Sequence, residues 1–195
     1  MAHRVCPWWL GYVLVSPLRH LFYDPSKILA PYVREGMTVL EPGPGMGFFT
    51  LELARRVGSS GRVVAMDIQP RMIAGLKRRI ARAGLLERVE IRLAQPDSMG
   101  IPDLASKVDF TLAFAVVHEM PSAGRFFADV SAASKPGALL LFAEPRGHVS
   151  DALLADELEW ARKAGFVEAN RPSIPRSYVV LLKKEKSTSV VPVGR

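Results

Sequence analysis

Thr38-Val39-Leu40-Glu41-Pro42-Gly43-Pro44-Gly45-Met46-Gly47-Phe48-Phe49, running on to Val63-Val64-Ala65-Met66-Asp67, is the stretch that decides the fold. Val39 to Glu41 reads as a buried strand that ends in an acid. Residues 42–47 form a loop with alternate glycines. From Phe48 to Val57 the apolar residues fall at 48, 49, 51, 53, 54 and 57, the spacing of an amphipathic helix. After Gly58-Ser59-Ser60-Gly61, Val63 to Met66 reads as a second strand, and it too ends in an acid, Asp67. Glycines let a backbone approach a ligand closely and adopt positive φ at little cost. The helix that follows presents free N–H groups. An acid closing the second strand accepts hydrogen bonds from both hydroxyls of a ribose. The arrangement points to a nucleoside-containing cofactor at the carboxyl ends of a parallel sheet.

The glycine spacing narrows the cofactor. A dinucleotide fingerprint, Gly-x-Gly-x-x-Gly counted from Gly43, requires glycine at position 48, where the chain has Phe48. Glu41-x-Gly43-x-Gly45-x-Gly47 instead resembles the first motif of the class I S-adenosylmethionine-dependent methyltransferases. That resemblance implies a Rossmann-like, doubly wound α/β fold with a mostly parallel seven-stranded sheet and a closing antiparallel hairpin. It implies S-adenosylmethionine as cofactor and S-adenosylhomocysteine as product. It implies that Glu41 meets the cofactor ammonium, that Gly43, Gly45 and Gly47 shape the loop, that Asp67 holds the ribose, and that Ile68 packs on adenine.

Outward from this stretch, Pro70 sits at the start of a helix that runs to Ala83 with Gly84 as its stop. Val89 to Leu93 alternates and reads as strand three, and residues 94–102 read as a loop with some helical content. The family usually has Gly-Asp-Ala after this strand. Here Ala94-Gln95-Pro96 stands in its place, so Gln95, or Asp97 as the alternative, is the expected acceptor for the adenine amino group. Asp109 to Ala115 reads as strand four, with Ala115 at the cofactor. Val116-Val117-His118-Glu119-Met120-Pro121 resembles the ubiquinone-biosynthesis type of small-molecule methyltransferase. Val39 to Gly45 taken alone also resembles the ribosomal RNA adenine dimethyltransferases, but their Asn-Pro-Pro-Tyr segment is missing here.

His118 and Glu119 are expected to face the meeting point of cofactor and substrate. His118 titrates near working pH and is the candidate catalytic base or substrate-orienting donor, set against a histidine that only bonds its own loop. Ala123 to Ser134 reads as a helix with Phe126, Phe127 and Val130 inward, ended by a turn at Lys135-Pro136-Gly137. Ala138 to Ala143 is a continuously apolar strand, as a central parallel strand is. It leads into Glu144-Pro145-Arg146-Gly147-His148, which makes Glu144 and Arg146 substrate candidates alongside Glu119, Tyr12 and Tyr23. A helix from Asp151 to Ala164 and strands at 166–169 and 177–182 complete the fold.

Residues 1–36 precede the core and hold Trp8, Trp9, Tyr12, Phe22 and Tyr23, broken by four prolines. Short helices are expected at 8–15 and, capped by Asp24, at 25–32. The segment suits a lid over the site, a packing wedge or an interfacial anchor. Residues 37–184 form the cofactor-binding domain, and 185–195 a tail with the composition of a disordered segment.

The chain has 195 residues, 49% hydrophobic and 23% charged, as in an ordinary globular domain. One cysteine, Cys6, excludes an internal disulfide, and His3, His20, His118 and His148 show no metal-ligand spacing, so no metal is expected. Without a membrane-length apolar run or a small-x-small cleavage site after residues 5–15, the expected location is the cytoplasm. The net charge of +7, concentrated from Arg55 to Arg92, suits either a solvated helix face or a phosphate-binding surface. The leading expectation is a methyltransferase acting on a small molecule. An RNA or protein methyltransferase and a non-catalytic S-adenosylmethionine-binding protein are the alternatives.

Overall fold

The computed structural model describes residues 7–9, 11, 15, 16, 19, 22–95 and 98–186. Seven strands form one sheet in the order β3-β2-β1-β4-β5-β7-β6: β1 Thr38–Pro42, β2 Arg62–Asp67, β3 Val89–Leu93, β4 Val108–Phe114, β5 Ser134–Pro145, β6 Phe166–Asn170 and β7 Ser177–Lys184. The pairs β1–β2, β2–β3, β1–β4 and β4–β5 are parallel, whereas β7 runs antiparallel to both β5 and β6. The helices are α1 Pro25–Leu29, α2 Thr50–Arg56, α3 Pro70–Arg82, α4 Ala123–Ala133 and α5 Asp151–Lys163.

Strand side chains alternate between two apolar layers, because successive residues of a strand point to opposite faces. Val39, Val63, Ala65, Phe110, Leu112 and Leu141 join Leu53 of α2 and Leu76 and Ile80 of α3 on one face. Leu40, Val64, Met66, Ala113, Leu140 and Phe142 join Phe126, Phe127 and Val130 of α4 and Leu154 and Ala161 of α5 on the other. The central strands are therefore apolar almost throughout, and the sheet is covered on both sides.

The helix ends follow their local chemistry. Asp24 Oδ1 accepts from the N–H groups of Ser26 and Lys27 at 3.0 and 3.3 Å and caps α1. Ser122 and Ser150 cap α4 and α5 in the same way. α3 closes on Gly84 at φ +69°, with Gly84 N–H donating to Ala81 O and Leu85 N–H to Ile80 O, a Schellman motif.

Several boundaries differ from the sequence expectation, beginning with α1, which ends at Leu29 where 25–32 was expected. α2 starts at Thr50 because Phe48 and Phe49 are already committed to the core, edge to face at 5.1 Å. Lys135-Pro136-Gly137 is not a turn that ends α4 but a bulge inside β5: Val108 pairs with Ser134, yet Phe110 pairs with Leu139, and Gly137 at φ +82° absorbs the extra residues. Residues 94–102 carry an antiparallel bridge between Gln95 and Ser98 rather than helix, and a 3-10 turn follows at Pro102–Leu104. β7 extends to Lys184, two residues beyond the strand expected at 177–182. Most of the helix expected at 8–15 lies outside the described residues, as do 187–195.

Phe127 is fully buried, with its ring edge to face against Phe126 at 5.1 Å and Phe142 at 5.6 Å. Phe127→Ala is expected to lower unfolding free energy by about 3–5 kcal/mol in urea titration without changing the sheet signal in circular dichroism.

Candidate functional site

The chain order β1, β2, β3 runs outward on one side of β1, and β4 returns to the other side. Adjacent strand ends at such a reversal leave a crevice. Here β1 and β4 pair only through Val39–Phe110 and Leu40–Thr111. Beyond Leu40 they part, and a cavity of about 490 Å³ opens at their carboxyl ends. That size is in the usual range of small-molecule sites.

Glu41 is the first residue past the last β1–β4 pair. It lines the cavity, yet only 3% of it is exposed, and its Oε2 has no partner among the described residues. Burial pushes its carboxyl up to about 7, against the opposing pull of the Thr50 hydroxyl and the Arg19 charge. Gly43, Gly45 and Gly47 all have positive φ, at +66°, +54° and +88°. A Cβ on Gly43 would stand 2.5 Å from Val116 Cγ2, and one on Gly47 2.6 Å from Leu76 Cδ1, so these two are required by packing as well as by backbone. A Cβ on Gly45 would meet nothing within 4 Å. Gly45 thus presents bare backbone to the cleft. Phe48, where a dinucleotide site would need glycine, is buried against Phe49.

Asp67 ends β2 and also lines the cavity. Its Oδ1 accepts from Gln69 N–H at 2.9 Å. Burial nonetheless raises its carboxyl to about 6, helped by the Glu119 charge and opposed by the N–H groups of Gln69, Gly45 and Ile68. Ile68 lines the cavity with 38% of its surface exposed, an apolar side chain open to a flat partner. Ala94, Gln95 and Met99 lie on the same wall. Asp97 is outside the described residues.

On the β4 side, Ala115 lines the cavity in a left-handed conformation at φ +57°, its N–H donating to Ala143 O at 2.7 Å. Such a conformation costs a non-glycine residue about 1–3 kcal/mol and turns the chain sharply. A 3-10 turn at Val117–Glu119 follows. It sends the two polar side chains apart: Glu119 lines the cavity, and His118 does not. His118 Nδ1 instead bonds Glu144 Oε2. Glu144 Oε1 accepts from Val117 N–H at 2.8 Å and His118 N–H at 3.4 Å, and Glu144 is wholly buried. Burial opposes the charged imidazole, but bonding to Glu144 and the charges of Glu144, Glu119 and Glu157 outweigh it, so His118 titrates above its ordinary value. His118 Nε2 is 3.8 Å from Glu119 Oε1, which leaves His118 behind the cleft wall and next to its carboxylate. Glu157, on α5, completes the cluster: it is buried, its Oε2 has no partner among the described residues, and burial with the Glu144 charge drives it to about 8.

Glu144, Arg146 and Tyr23 stand apart from the cavity lining. Arg146 covers the Tyr178 ring at 4.9 Å. Tyr23 packs edge to face on Phe114 at 5.4 Å. Tyr12 lies outside the described residues. From the segment before the core, Val15 and Arg19 line the cavity, and the Gly11 backbone is so close that a Cβ there would lie 2.7 Å from Met72 Sδ. Arg19 carried no signal in the sequence that marked it as a site residue.

A buried acid with one oxygen unpartnered among the described residues, a bare glycine beside it and a second acid at the neighbouring strand end fit a ligand with an ammonium, an extended chain and a ribose. S-adenosylmethionine has these groups. Residues 33–178 match the family described as "Methyltransferase domain", and the chain belongs to it, as a class I S-adenosylmethionine-dependent methyltransferase fold. It is 32% identical over 102 residues to an arsenite methyltransferase of Halobacterium salinarum, covering 52% of this chain and 25% of that protein. It is 30% identical over 131 residues to a ubiquinone/menaquinone biosynthesis C-methyltransferase of a Marinomonas species, covering 67% of this chain and 51% of that protein. The chain thus spans about half or less of the length of these curated relatives. The crystal structure of an S-adenosylmethionine-dependent methyltransferase from Aquifex aeolicus superposes with a TM-score of 0.80 at 24% identity, covering 92% of this chain and 98% of that one. No helix among the described residues is long and apolar enough to cross a membrane.

The raised carboxyls of Glu41, Asp67 and Glu157 and the raised imidazole of His118 share one sign. Unfolded carboxyls ionise near pH 4–4.5, so over roughly pH 4.5–8 the native state holds more protons and stability falls as pH rises. The ligand-free protein is therefore expected to be more stable near pH 5 than near pH 8.5. Glu157→Gln should flatten that decline, adding about 1–3 kcal/mol near pH 8.5 and little near pH 5 in urea titrations.

Proposed function

We propose that this protein transfers the methyl group of S-adenosylmethionine to a small-molecule acceptor by direct displacement, leaving S-adenosylhomocysteine. The observation that carries the reading is Glu41: a buried carboxyl in the cleft, with one oxygen unpartnered, placed where the family motif puts the acid for the cofactor ammonium. Glu41 would hold the ammonium, the loop of Gly43, Gly45 and Gly47 the chain between ammonium and sulfur, Asp67 the ribose, and Ile68 and Gln95 the adenine face and edge. Ala115 would bound the reacting end. When bound, the cofactor supplies a methyl group already activated by its sulfonium. The task left to the chain is alignment, worth up to about 7–11 kcal/mol in favourable cases.

If the acceptor carries a proton, the cleft offers Glu119. It lines the cavity and has His118 at 3.8 Å behind it, itself bonded to buried Glu144. We assign Glu119 as the proton acceptor and His118 as the group that positions it, in place of His118 as the base itself. Met120 and Phe126 on the same wall suit an apolar acceptor. The two curated relatives, named for arsenite and for ubiquinone/menaquinone biosynthesis, favour a small acceptor. The nucleic-acid alternative would use the basic side of α3, where Lys77, Arg78 and Arg82 are exposed. A steep fall of RNA affinity with salt would support it.

Calorimetric titration tests the assignment. S-adenosylmethionine and S-adenosylhomocysteine are expected to bind at micromolar strength and NAD not at all. Asp67→Ala and Glu41→Gln should each weaken binding about 10–100-fold, the cost of a lost charge-assisted contact. Binding of NAD alone would overturn the reading. With an acceptor found by radiolabelled methyl transfer to a panel of small phenols, thiols and amines, Glu119→Gln should lower turnover and leave cofactor affinity unchanged. Undiminished turnover would remove Glu119 from the mechanism.

A further inference from the structure

The carboxyl edge of the sheet, where the cleft opens, carries exposed apolar side chains interleaved with cations. The Trp8 ring lies beside the start of α3, its centre 4.4 Å from Arg71 Cζ, and Trp9 follows it in the chain. The Phe22 ring lies against the turn that enters β7, its centre 5.1 Å from Arg176 Cζ. Leu93 ends β3, and Leu153 stands in the first turn of α5. All five are exposed, Trp9 and Leu93 over more than half of their surface. Single exposed apolar side chains are ordinary; a group of them around one opening marks a contact surface. Arg71, Arg146 and Arg176 are exposed on this edge too, after β2, after β5 and before β7. Among the described residues no carboxylate pairs with these three, whereas Arg56, Arg92 and Arg171 on the flanks each hold one. The acids near the edge are engaged elsewhere. Glu41, Asp67 and Glu119 line the cleft, and Asp24 and Asp151 are held by Lys27 and the Tyr178 hydroxyl.

We propose that this rim docks onto an anionic lipid bilayer, with Trp8, Trp9 and Phe22 entering the boundary between headgroups and acyl chains, the three arginines meeting lipid phosphates, and the mouth of the cleft set against the membrane. An aromatic ring with a guanidinium on its face suits that boundary: the ring faces hydrocarbon, and the planar cation faces phosphate. The spread of the charges fits a surface and not a single anion. Four strand spacings, about 19 Å, separate β2 from β7, so Arg71 and Arg176 straddle the cleft. The aliphatic Leu93 and Leu153 have nothing to meet on a nucleic acid, whereas lipid accepts them. The densest basic strip, Lys77, Arg78 and Arg82, lies on the flank along α3 and carries no such apolar company. Docking does not depend on the methyl-transfer reading. Its consequence does rest on that reading: an apolar acceptor dissolved in the bilayer would reach the cleft, with Met120 and Phe126 on its wall, without crossing water.

Sedimentation of the full chain with vesicles tests the docking. Binding should be strong on phosphatidylcholine vesicles that carry about one third phosphatidylglycerol, weak on phosphatidylcholine alone, and should fall as salt rises. Arg71→Gln combined with Arg176→Gln should weaken it about 10–30-fold, and Trp9→Ser combined with Phe22→Ser about as much. Lys77→Gln, Arg78→Gln and Arg82→Gln together, on the flank, should change it less than about threefold. In a Trp160→Phe background only Trp8 and Trp9 emit. Their fluorescence should shift to the blue on the anionic vesicles and be quenched by lipid brominated in its acyl chains. Absence of sedimentation, or emission that the anionic vesicles leave unchanged, would refute the docking. Binding that survives the rim variants and is lost with the α3 triple variant would refute it as well, by placing another face on the membrane. Binding to an RNA oligonucleotide in place of vesicles, lost with Arg71→Gln and Arg176→Gln, would overturn it and give the rim to nucleic acid. Affinity for S-adenosylhomocysteine should be unchanged in the rim variants, so failure of the docking and failure of the cofactor reading are told apart.

Discussion

A carboxyl group buried in a strand end, with one oxygen left without a partner, is costly unless something is to pair with it. Among the described residues Glu41 is such a group, and the rest of the site is arranged around it. It sits where β1 and β4 cease to pair, so the reversal of strand order supplies the space. The glycine loop begins two residues later and can approach a ligand at Gly45 because no Cβ stands in the way. Asp67 ends the neighbouring strand and lines the same space. Three features that look separate in the chain are one site because the sheet is parallel and all these strands end on one side.

Alternation along the strands then separates two groups of acids. Glu41 has the parity of Val39, whose side chain lies on the α2–α3 face, and Asp67 has that of Ala65, on the same face. Glu144 has the parity of Leu140 and Phe142, which lie on the α4–α5 face. It therefore turns away from the layer of Glu41 and Asp67 and toward Glu157, and it draws His118 with it. The protein holds Glu41 and Asp67 on one layer and a buried His–Glu–Glu cluster on the other, with Glu119 lining the cavity beside His118.

Much of this was legible in the sequence because it is local. The strand, glycine loop, helix and second acid are contiguous, and their boundaries agree within one or two residues. The mostly parallel seven-stranded sheet and its closing hairpin followed from the family resemblance. The orientation of His118 was not legible, since it depends on the left-handed turn at Ala115, a conformation no alanine announces. The direction of Glu144 was available in principle from its parity with Phe142, but only once Phe142 is known to face α4. The bulge at Lys135-Pro136-Gly137 reads as a turn because its residues are those of a turn, and only pairing to β4 shows that the strand continues through it. Arg19 was hidden for a further reason: prolines break the pattern around it, and apart from Tyr23 the rings against it lie 29 to 95 positions away.

The central claim is that burial raises the Glu41 carboxyl to about 7 and that the cofactor ammonium binds its ionised form. Calorimetric titration of S-adenosylmethionine between about pH 6 and 7, in buffers of different ionisation enthalpy, measures this directly. Affinity should rise about fivefold between pH 6 and 7, with the proton released on binding falling from nearly one to about one half across that window, and Glu41→Gln should remove most of that slope. An affinity that does not change with pH in the wild type, or a slope that survives Glu41→Gln, would contradict it.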